Sequence, residues 1–134
     1  MRLKDKTALI TGAASGFGAE IAATFAREGA KVVIMDLNAE GAREKAESIG
    51  EAARWVAGDV TRADDVGAAV GAARDFGGRL DIVVNNAGWT HRNKPMLEVT
   101  EEEFDKVYAI NVKSIYHMAN IVVPIMRKNG GGSI

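Results

Sequence analysis

Residues 11–18 read TGAASGFG and form the stretch on which the fold depends. They follow the short apolar run 8–10 and precede a segment with helical spacing. Gly12 lets the chain leave a strand in a tight turn, Gly16 lets the backbone approach a pyrophosphate, and Gly18 lets the helix pack close to the sheet. The first free amides of that helix point at the phosphates. The stretch therefore predicts a dinucleotide-binding turn, with cofactor contacts from Gly12, Ser15, Gly16, Phe17 and Gly18.

The glycine spacing in this turn is G-x-x-x-G-x-G rather than the commoner G-x-G-x-x-G. The turn is not a P-loop, because no Gly-Lys-Ser or Gly-Lys-Thr follows it. Three glycines by themselves also fit a plain tight turn, so the surrounding pattern decides between the two interpretations.

Short apolar runs recur along the chain at the spacing of buried strands. Residues 8–10, 32–35 and 82–84 are apolar throughout, and a weaker run occupies residues 55–57. Runs that are apolar on both faces are typical of parallel strands buried between two layers. We therefore predict parallel strands at these positions.

The segments between the first three runs have helical spacing. Phe17, Ile21 and Phe25 form one apolar stripe, and Gly29 is placed to end that helix. Residues 39–49 are rich in alanine and glutamate, which favour a helix.

A third apolar stripe, Val66, Val70 and Ala73, follows Thr61, which we expect to cap its helix. Strands and helices that alternate in this way are connected by right-handed crossovers. The pattern predicts an α/β fold, with a doubly wound parallel sheet of the Rossmann type, as a single domain over residues 1–134.

The last third of the chain predicts one long helix and the start of another strand. A capping box at residues 100–103 opens the helix, and apolar positions continue to residue 122. Pro124 is expected to kink the helix or to end it. Residues 133–134 resemble the first residues of a fifth strand, where a finished domain seldom ends. We therefore predict a C-terminally truncated domain whose sheet is incomplete after the fourth strand and the long helix.

The composition fits one globular domain and argues against several functions. Of the 134 residues, 47% are hydrophobic and 26% are charged, and the formal net charge is -1. No basic field attracts nucleic acid, and no apolar run reaches the roughly 20 residues that span a bilayer. The chain has no cysteine, and its two histidines, His91 and His117, lie far apart, so no metal site is predicted. These features predict a cytoplasmic protein without nucleic-acid or membrane partners.

Asp36 closes the second apolar run. In a dinucleotide-binding fold, an acidic residue roughly 20 residues beyond the glycine turn accepts from both hydroxyls of the adenosine ribose. A 2′-phosphate at that position meets like charge, and the glycine turn offers no Arg or Lys to receive it. We predict that Asp36 and Leu37 contact the cofactor and that the cofactor is NAD rather than NADP. The alternative is a surface aspartate at the end of a strand.

Four motifs occur along the chain in the order TGxxxGxG at residues 11–18, Asp59-Val60, NNAG at residues 85–88 and Asn111-Val112. In this order and spacing they resemble the short-chain dehydrogenase/reductase family over residues 3–134. The NNAG element after a buried strand is the most specific of the four. The resemblance implies hydride transfer between a nicotinamide cofactor and a small-molecule alcohol or ketone.

The resemblance also implies roles for single residues around the cofactor. Asp59 is expected to accept a hydrogen bond from the adenine amino group, and the Val60 amide is expected to contact the ring. Three small or polar residues are expected to lie against the cofactor beyond the fourth strand, namely Asn86, Ala87 and Gly88. Asn85 is expected to brace the sheet.

Asn111 lies inside the long helix, although asparagine is a poor helix former. The resemblance implies that this asparagine bends the helix and holds a water in the proton relay, which places it among the catalytic residues. The alternative is an asparagine that caps a break in the helix. The resemblance also places a subunit interface on this helix, and so implies a homo-oligomer, either a dimer or a tetramer.

The chemistry that the resemblance implies needs a serine, a tyrosine and a lysine four residues after the tyrosine. The lysine matters because an unassisted tyrosine, with a pKa of about 10, is a poor base at neutral pH. Tyr108 is followed at that distance by Val112, and Tyr116 by Asn120, so neither fits. We expect the three residues beyond residue 134 and expect residues 1–134 alone to be inactive.

Two other functions fit part of the sequence. One is a short NAD-binding or interaction module without catalysis, which the absence of a downstream Tyr-x-x-x-Lys would distinguish. The other is a methyltransferase that binds an adenosine-containing methyl donor on a similar glycine loop, and the NNAG element argues against it. Four residues follow Gly88 and are placed to line one wall of the pocket, but they do not identify a substrate, namely Trp89, Thr90, His91 and Arg92.

Overall fold

The computed structural model describes all 134 residues and contains one parallel sheet. The strand order is β3-β2-β1-β4. From β1 the chain adds β2 and then β3 on one side, and it then crosses back to place β4 on the other side of β1. This order confirms the doubly wound parallel sheet that the apolar runs predict. The strands are β1 (Thr7–Thr11), β2 (Lys31–Asp36), β3 (Ala53–Ala57) and β4 (Ile82–Val84).

Helices follow each of the strands. Residues 109–113, between the last two helices, form a π turn, and a short 3-10 turn precedes the fourth helix at Met96–Glu98. The helices are α1 (Gly16–Arg27), α2 (Ala39–Ile49), α3 (Ala63–Gly77), α4 (Glu101–Tyr108) and α5 (Ser114–Lys128).

Both faces of the sheet are covered, as an all-parallel sheet requires. Leu9 and Val33 belong to one apolar cluster, which side chains of α3 and α5 complete. Their neighbours Ile10 and Ile34 belong to a second cluster, which side chains of α1 and α2 complete. The alternation along β1 and β2 therefore divides the core into two layers with the sheet between them.

The cap of α3 differs from the prediction. The N-cap residue is Arg62 rather than Thr61, and no side chain caps this helix. The Thr61 hydroxyl and amide both donate to Asp59 Oδ1, at 2.7 and 2.8 Å. Because this local turn occupies the threonine, its oxygen does not accept from the first turn of the helix.

The long helix begins as predicted but does not end where the proline stands. Thr100 and Glu103 form the capping box, with both reciprocal hydrogen bonds present. Pro124 lies inside α5, which continues to Lys128. Met118, Val122 and Met126 are buried in the core, and this apolar face holds the helix through the proline.

The chain reaches a fifth strand position at its last residues. The Ser133 amide donates to the Asp81 carbonyl, and the Ser133 carbonyl accepts from the Val83 amide, both at 2.9 Å. These bonds form a parallel bridge between Ser133 and Ile82. Ser133 therefore lies beside β4, where the strand predicted from residues 133–134 would begin, and forms a single bridge there.

One face of the long helix carries large exposed side chains, among them Phe104, Tyr108, Val112, Ile115 and Tyr116. Phe104 and Tyr108 stack with ring centroids 4.8 Å apart. The expectation that this helix meets a second copy of the chain stays a prediction. Among the helices, none combines the length with the apolar character needed to cross a membrane.

Glycines along α3 provide a test of this packing. A Cβ added at Gly77 meets the Thr7 side chain, with Cγ2 at 2.6 Å and Cβ at 2.7 Å, whereas a Cβ at Gly71 has nothing within 4 Å. We expect Gly77→Ala to lower the free energy of unfolding by ~1–3 kcal/mol through overpacking. Gly71→Ala, the matched control, should raise it by ~0.5–1 kcal/mol because alanine favours a helix. Urea unfolding followed by circular dichroism measures both, and equal effects of the same sign would contradict the packing of α3 on β1.

Candidate functional site

The carboxyl ends of the four strands open onto a cleft of about 320 Å³. In open parallel sheets this edge is where ligands bind. The cleft brings together most of the residues that the sequence predicts for the cofactor, namely Gly12, Ser15, Asp36, Leu37, Asp59, Val60, Asn86, Ala87 and Gly88.

Four predicted site residues do not line this cleft. Gly16 opens α1 with φ of +60°, and Phe17 beside it is 86% exposed. Gly18 is buried beneath the turn, where an added Cβ would stand 2.5 Å from Asn86 Nδ2 and 2.6 Å from the Gly12 carbonyl oxygen. Gly18 therefore allows close packing against the turn itself. Asn111 lies behind the cleft, beside Gly88.

The glycine turn holds its shape through a close approach of two backbones. Gly12 has φ of +62°, and its amide donates to the Met35 carbonyl at 2.8 Å. A Cβ on Gly12 would lie 2.8 Å from the Ala87 Cα. Only glycine meets both conditions, because a side chain is strained at this φ and has no space beside Ala87.

A side-chain amide ties the end of β4 to this turn. Asn86 Nδ2 donates to the carbonyl oxygens of Thr11 and Gly12, both at 3.0 Å. Asn85, which the sequence assigned to bracing the sheet, makes no side-chain hydrogen bond. The brace is therefore Asn86, which also lines the cleft.

The Thr11 hydroxyl adds a second tie, for which the sequence predicted no role. It accepts from the amides of Asn86 and Ala87, at 3.1 and 3.0 Å, and donates to the Val84 carbonyl at 3.4 Å. Thr11 is buried, so its hydroxyl needs these partners. The only sequence signal for this role was a hydroxyl at the carboxyl end of an otherwise apolar strand.

Asp36 presents its carboxylate at the end of β2, where backbone amides fix it. Oδ2 accepts from the Ala14 amide at 3.0 Å, and Oδ1 accepts from the Asn38 amide at 2.9 Å. Each carboxylate oxygen can accept further hydrogen bonds, because a carboxylate offers about four acceptor positions. The group is thus oriented before any ligand arrives and still has acceptor capacity towards the cleft.

Asp59 is held at the end of β3 by a similar local network. Its Oδ1 takes both donors of Thr61, and its own amide donates to Asp65 Oδ2 at 2.9 Å. Asp59 and Val60 lie in the same cleft as Asp36. The two carboxylates therefore approach the cleft from neighbouring strands.

Asn111 lies in the π turn, and its side chain forms two hydrogen bonds with the backbone of Trp89. Its Oδ1 accepts from the Trp89 amide at 3.0 Å, and its Nδ2 donates to the Trp89 carbonyl at 2.7 Å. The Lys106 ammonium lies 4.1 Å from the centroid of the Trp89 ring. Trp89, Lys106 and Ile110 all line the cleft. Lys106 and Ile110 were not predicted, because only their common helix face pointed to them.

The loop between Trp89 and α4 is pinned by an ion pair. Lys94 Nζ donates to both carboxylate oxygens of Glu103, at 2.6 and 2.8 Å. These bonds, together with the one from the Thr100 amide, hold the pKa of the Glu103 carboxyl below its usual value. One carboxylate therefore caps α4 and fixes the loop that carries Trp89.

Comparison with known proteins places this geometry among oxidoreductases. The family model described as short chain dehydrogenase matches residues 6–134. A 4-formylbenzenesulfonate dehydrogenase of Comamonas testosteroni is 49% identical over an alignment of 135 residues that covers 98% of this chain and 54% of that protein. A sorbitol dehydrogenase of Cereibacter sphaeroides is 43% identical over 132 residues, 98% of this chain and 51% of that protein.

Among solved structures, a 3-ketoacyl-(acyl-carrier-protein) reductase from Brucella melitensis in complex with NADH is similar, with a TM-score of 0.93 and 47% identity. The match covers 96% of this chain and 53% of that one. The chain thus spans about half the length of the relatives that it matches.

The Asn86 brace can be tested by an isosteric change. In Asn86→Asp the two donated hydrogen bonds are lost, and a carboxylate faces the carbonyl oxygens of Thr11 and Gly12. We expect the free energy of unfolding to fall by ~1–3 kcal/mol, the cost of leaving such groups unsatisfied. Asn85→Asp is the matched control and should cost clearly less, because Asn85 has no side-chain hydrogen bond to lose. Thermal and urea unfolding measure the stability of both variants. An equal loss of unfolding free energy in the two would refute the assignment of the brace to Asn86.

Proposed function

The chain belongs to the short chain dehydrogenase family, and from that premise we propose that the protein transfers hydride between a nicotinamide cofactor and a small-molecule alcohol or ketone. The observation that carries the proposal is the single cleft at the carboxyl ends of the strands. The glycine turn, the carboxylates of Asp36 and Asp59, and the end of β4 all line this cleft. The NADH complex of a related reductase supports a nicotinamide cofactor as the occupant.

The residues of the cleft fit such a cofactor. The first backbone hydrogen bond of α1 is donated by the Ala19 amide to Ser15, so the preceding amides have no partner within the helix. Ser15, the N-cap residue, makes no capping bond and lines the cleft. These donors suit the pyrophosphate. The Asp36 carboxylate suits the ribose hydroxyls and the Asp59 carboxylate suits the adenine amino group.

When bound, the nicotinamide supplies the hydride chemistry, and the protein supplies binding and orientation. Gly12 and Gly88 line the cleft with backbone atoms alone, so the backbone can lie against the cofactor. Asn111, through its grip on Trp89, sets the wall where the cleft meets α4. For the proton transfer we propose a serine, a tyrosine and a lysine outside residues 1–134, since this range contains no Tyr-x-x-x-Lys.

We further propose NAD as the preferred cofactor. Two carboxylates, Asp36 and Asp59, line the cleft, and the amides of Ala14 and Asn38 hold the first at the end of β2. A ribose with free hydroxyls supplies donors for such a carboxylate. A 2′-phosphate supplies negative charge instead, and at a separation of about 4 Å two like unit charges repel by roughly 1–4 kcal/mol near a protein surface.

The activity is tested with the full-length protein and with residues 1–134 alone. The full-length protein should oxidise NADH in the presence of a carbonyl compound, with the aldehydes, sugars and 3-ketoacyl thioesters of the relatives as the first panel. Residues 1–134 alone should show no turnover, because the proton-transfer residues are missing. The absorbance of NADH follows both reactions. Turnover by residues 1–134 would disprove the assignment of the chemistry to residues outside this range.

The cofactor preference is tested by Asp36→Asn. The amide keeps the shape and one acceptor oxygen but removes the charge, so we expect the ratio of NADPH to NADH affinity to rise about tenfold. Asp64→Asn, on the exposed first turn of α3, removes the same charge away from the cleft and should leave the ratio unchanged. Fluorescence titration with each reduced cofactor gives the constants. Tighter binding of NADPH by the unmodified protein, or an unaltered ratio in Asp36→Asn, would contradict the proposal.

A further inference from the structure

A tryptophan and a lysine form one wall of the cofactor cleft. Trp89 and Lys106 both line the cleft, and the Lys106 ammonium lies 4.1 Å from the centroid of the Trp89 ring. The backbone of Trp89 cannot shift freely, because both its amide and its carbonyl are bonded to Asn111. The backbone that carries the ring is therefore held in place beside the ammonium.

Lys106 is also the only cationic side chain among the residues that line the cleft, where Asp36 and Asp59 supply two negative charges. It forms no ion pair and donates no side-chain hydrogen bond. The neighbouring lysine Lys94, by contrast, is paired with Glu103. An exposed lysine has a long flexible stem, and contact with an aromatic face restricts where its charge lies. Here the contact keeps an unpaired ammonium at the cleft.

The charges in the cleft indicate a role for the Lys106 ammonium. A dinucleotide brings two phosphate groups into a cleft that already holds two carboxylates. The amides at the start of α1 offer the phosphates roughly half an elementary charge, which is smaller than the combined charge of Asp36 and Asp59. A cation held beside the cleft reduces this repulsion, and its effect is strongest at low ionic strength.

We propose, on the basis of the function proposed above, that Lys106 is a cofactor-binding residue that recognises the phosphate charge of the dinucleotide and that Trp89 holds it in place. The ligand chemistry is a nucleoside diphosphate. The ring keeps the ammonium directed to the cleft, and the phosphate supplies the anion that Lys106 lacks in the free protein. A purely structural contact between Lys106 and Trp89 makes a different prediction, since it gives no reason for binding to depend on phosphate.

The test compares ligands with and without phosphate on the full-length protein. We expect Lys106→Met to weaken the binding of NADH and of ADP about three- to tenfold at low salt and to change the binding of adenosine less than about twofold. The loss should shrink as salt is added. Lys106→Arg should retain most of the affinity, and Trp89→Leu should weaken ADP binding although the lysine is present. Lys128→Met, at the far end of α5, removes the same charge away from the cleft and serves as the control.

The outcomes separate the two proposals. If the unmodified protein binds neither NADH nor ADP, the proposed function fails and this inference fails with it. If it binds both but Lys106→Met leaves ADP affinity unchanged, the inference alone is wrong. If Lys106→Met weakened the binding of ADP and of adenosine equally, the inference would also be wrong, because Lys106 would then support the cleft wall without recognising the phosphates. Unfolding curves of each variant exclude loss of the fold as the cause.

Discussion

The structure of the cleft depends on the junction between the end of β4 and the turn after β1. One side-chain amide, Asn86 Nδ2, donates to two carbonyl oxygens, and the Thr11 hydroxyl accepts from two backbone amides. These bonds draw the two chain segments so close that neither Gly12 nor Gly18 has room for a Cβ. The small residues of the motif are thus a consequence of the junction as well as a space for ligand. Ligand binding and folding therefore both favour small residues in this motif.

The carboxylates at the carboxyl ends of β2 and β3 show how the edge of a sheet can present hydrogen-bond acceptors to a ligand. Asp36 and Asp59 each follow a strand, and each is oriented by donors from its own neighbourhood, Asn38 and Thr61 respectively. Local turns of this kind hold a charged group without a buried counter-ion, so the desolvation cost of a buried ion pair is avoided. The charge remains available to a ligand. The same arrangement leaves the cleft negative, which gives the lone cation Lys106 its importance.

The sequence predicts those features that arise from neighbours along the chain. The strand runs, the helix over residues 39–49 and the capping box at Thr100 follow from local periodicity and local hydrogen bonds, and the structure confirms them. The cap at Thr61 was wrong, because Asp59 competes for the same hydroxyl and no propensity ranks these two local choices. The contact of Lys106 with Trp89 joins two elements, and it was not predictable because no period in the sequence relates them.

The π turn at residues 109–113 explains how one continuous helix serves two surfaces. Each extra residue in a helical turn rotates the following side chains by about 100° relative to an unbroken α-helix. Lys106 before the turn and Ile110 within it line the cleft, and after the turn Met118 and Val122 lie in the core against the sheet. The turn also frees Asn111 to bond with the Trp89 backbone rather than with its own helix. Asn111 in the π turn thus connects the helix that packs on the sheet with the backbone of Trp89, which lines the cleft.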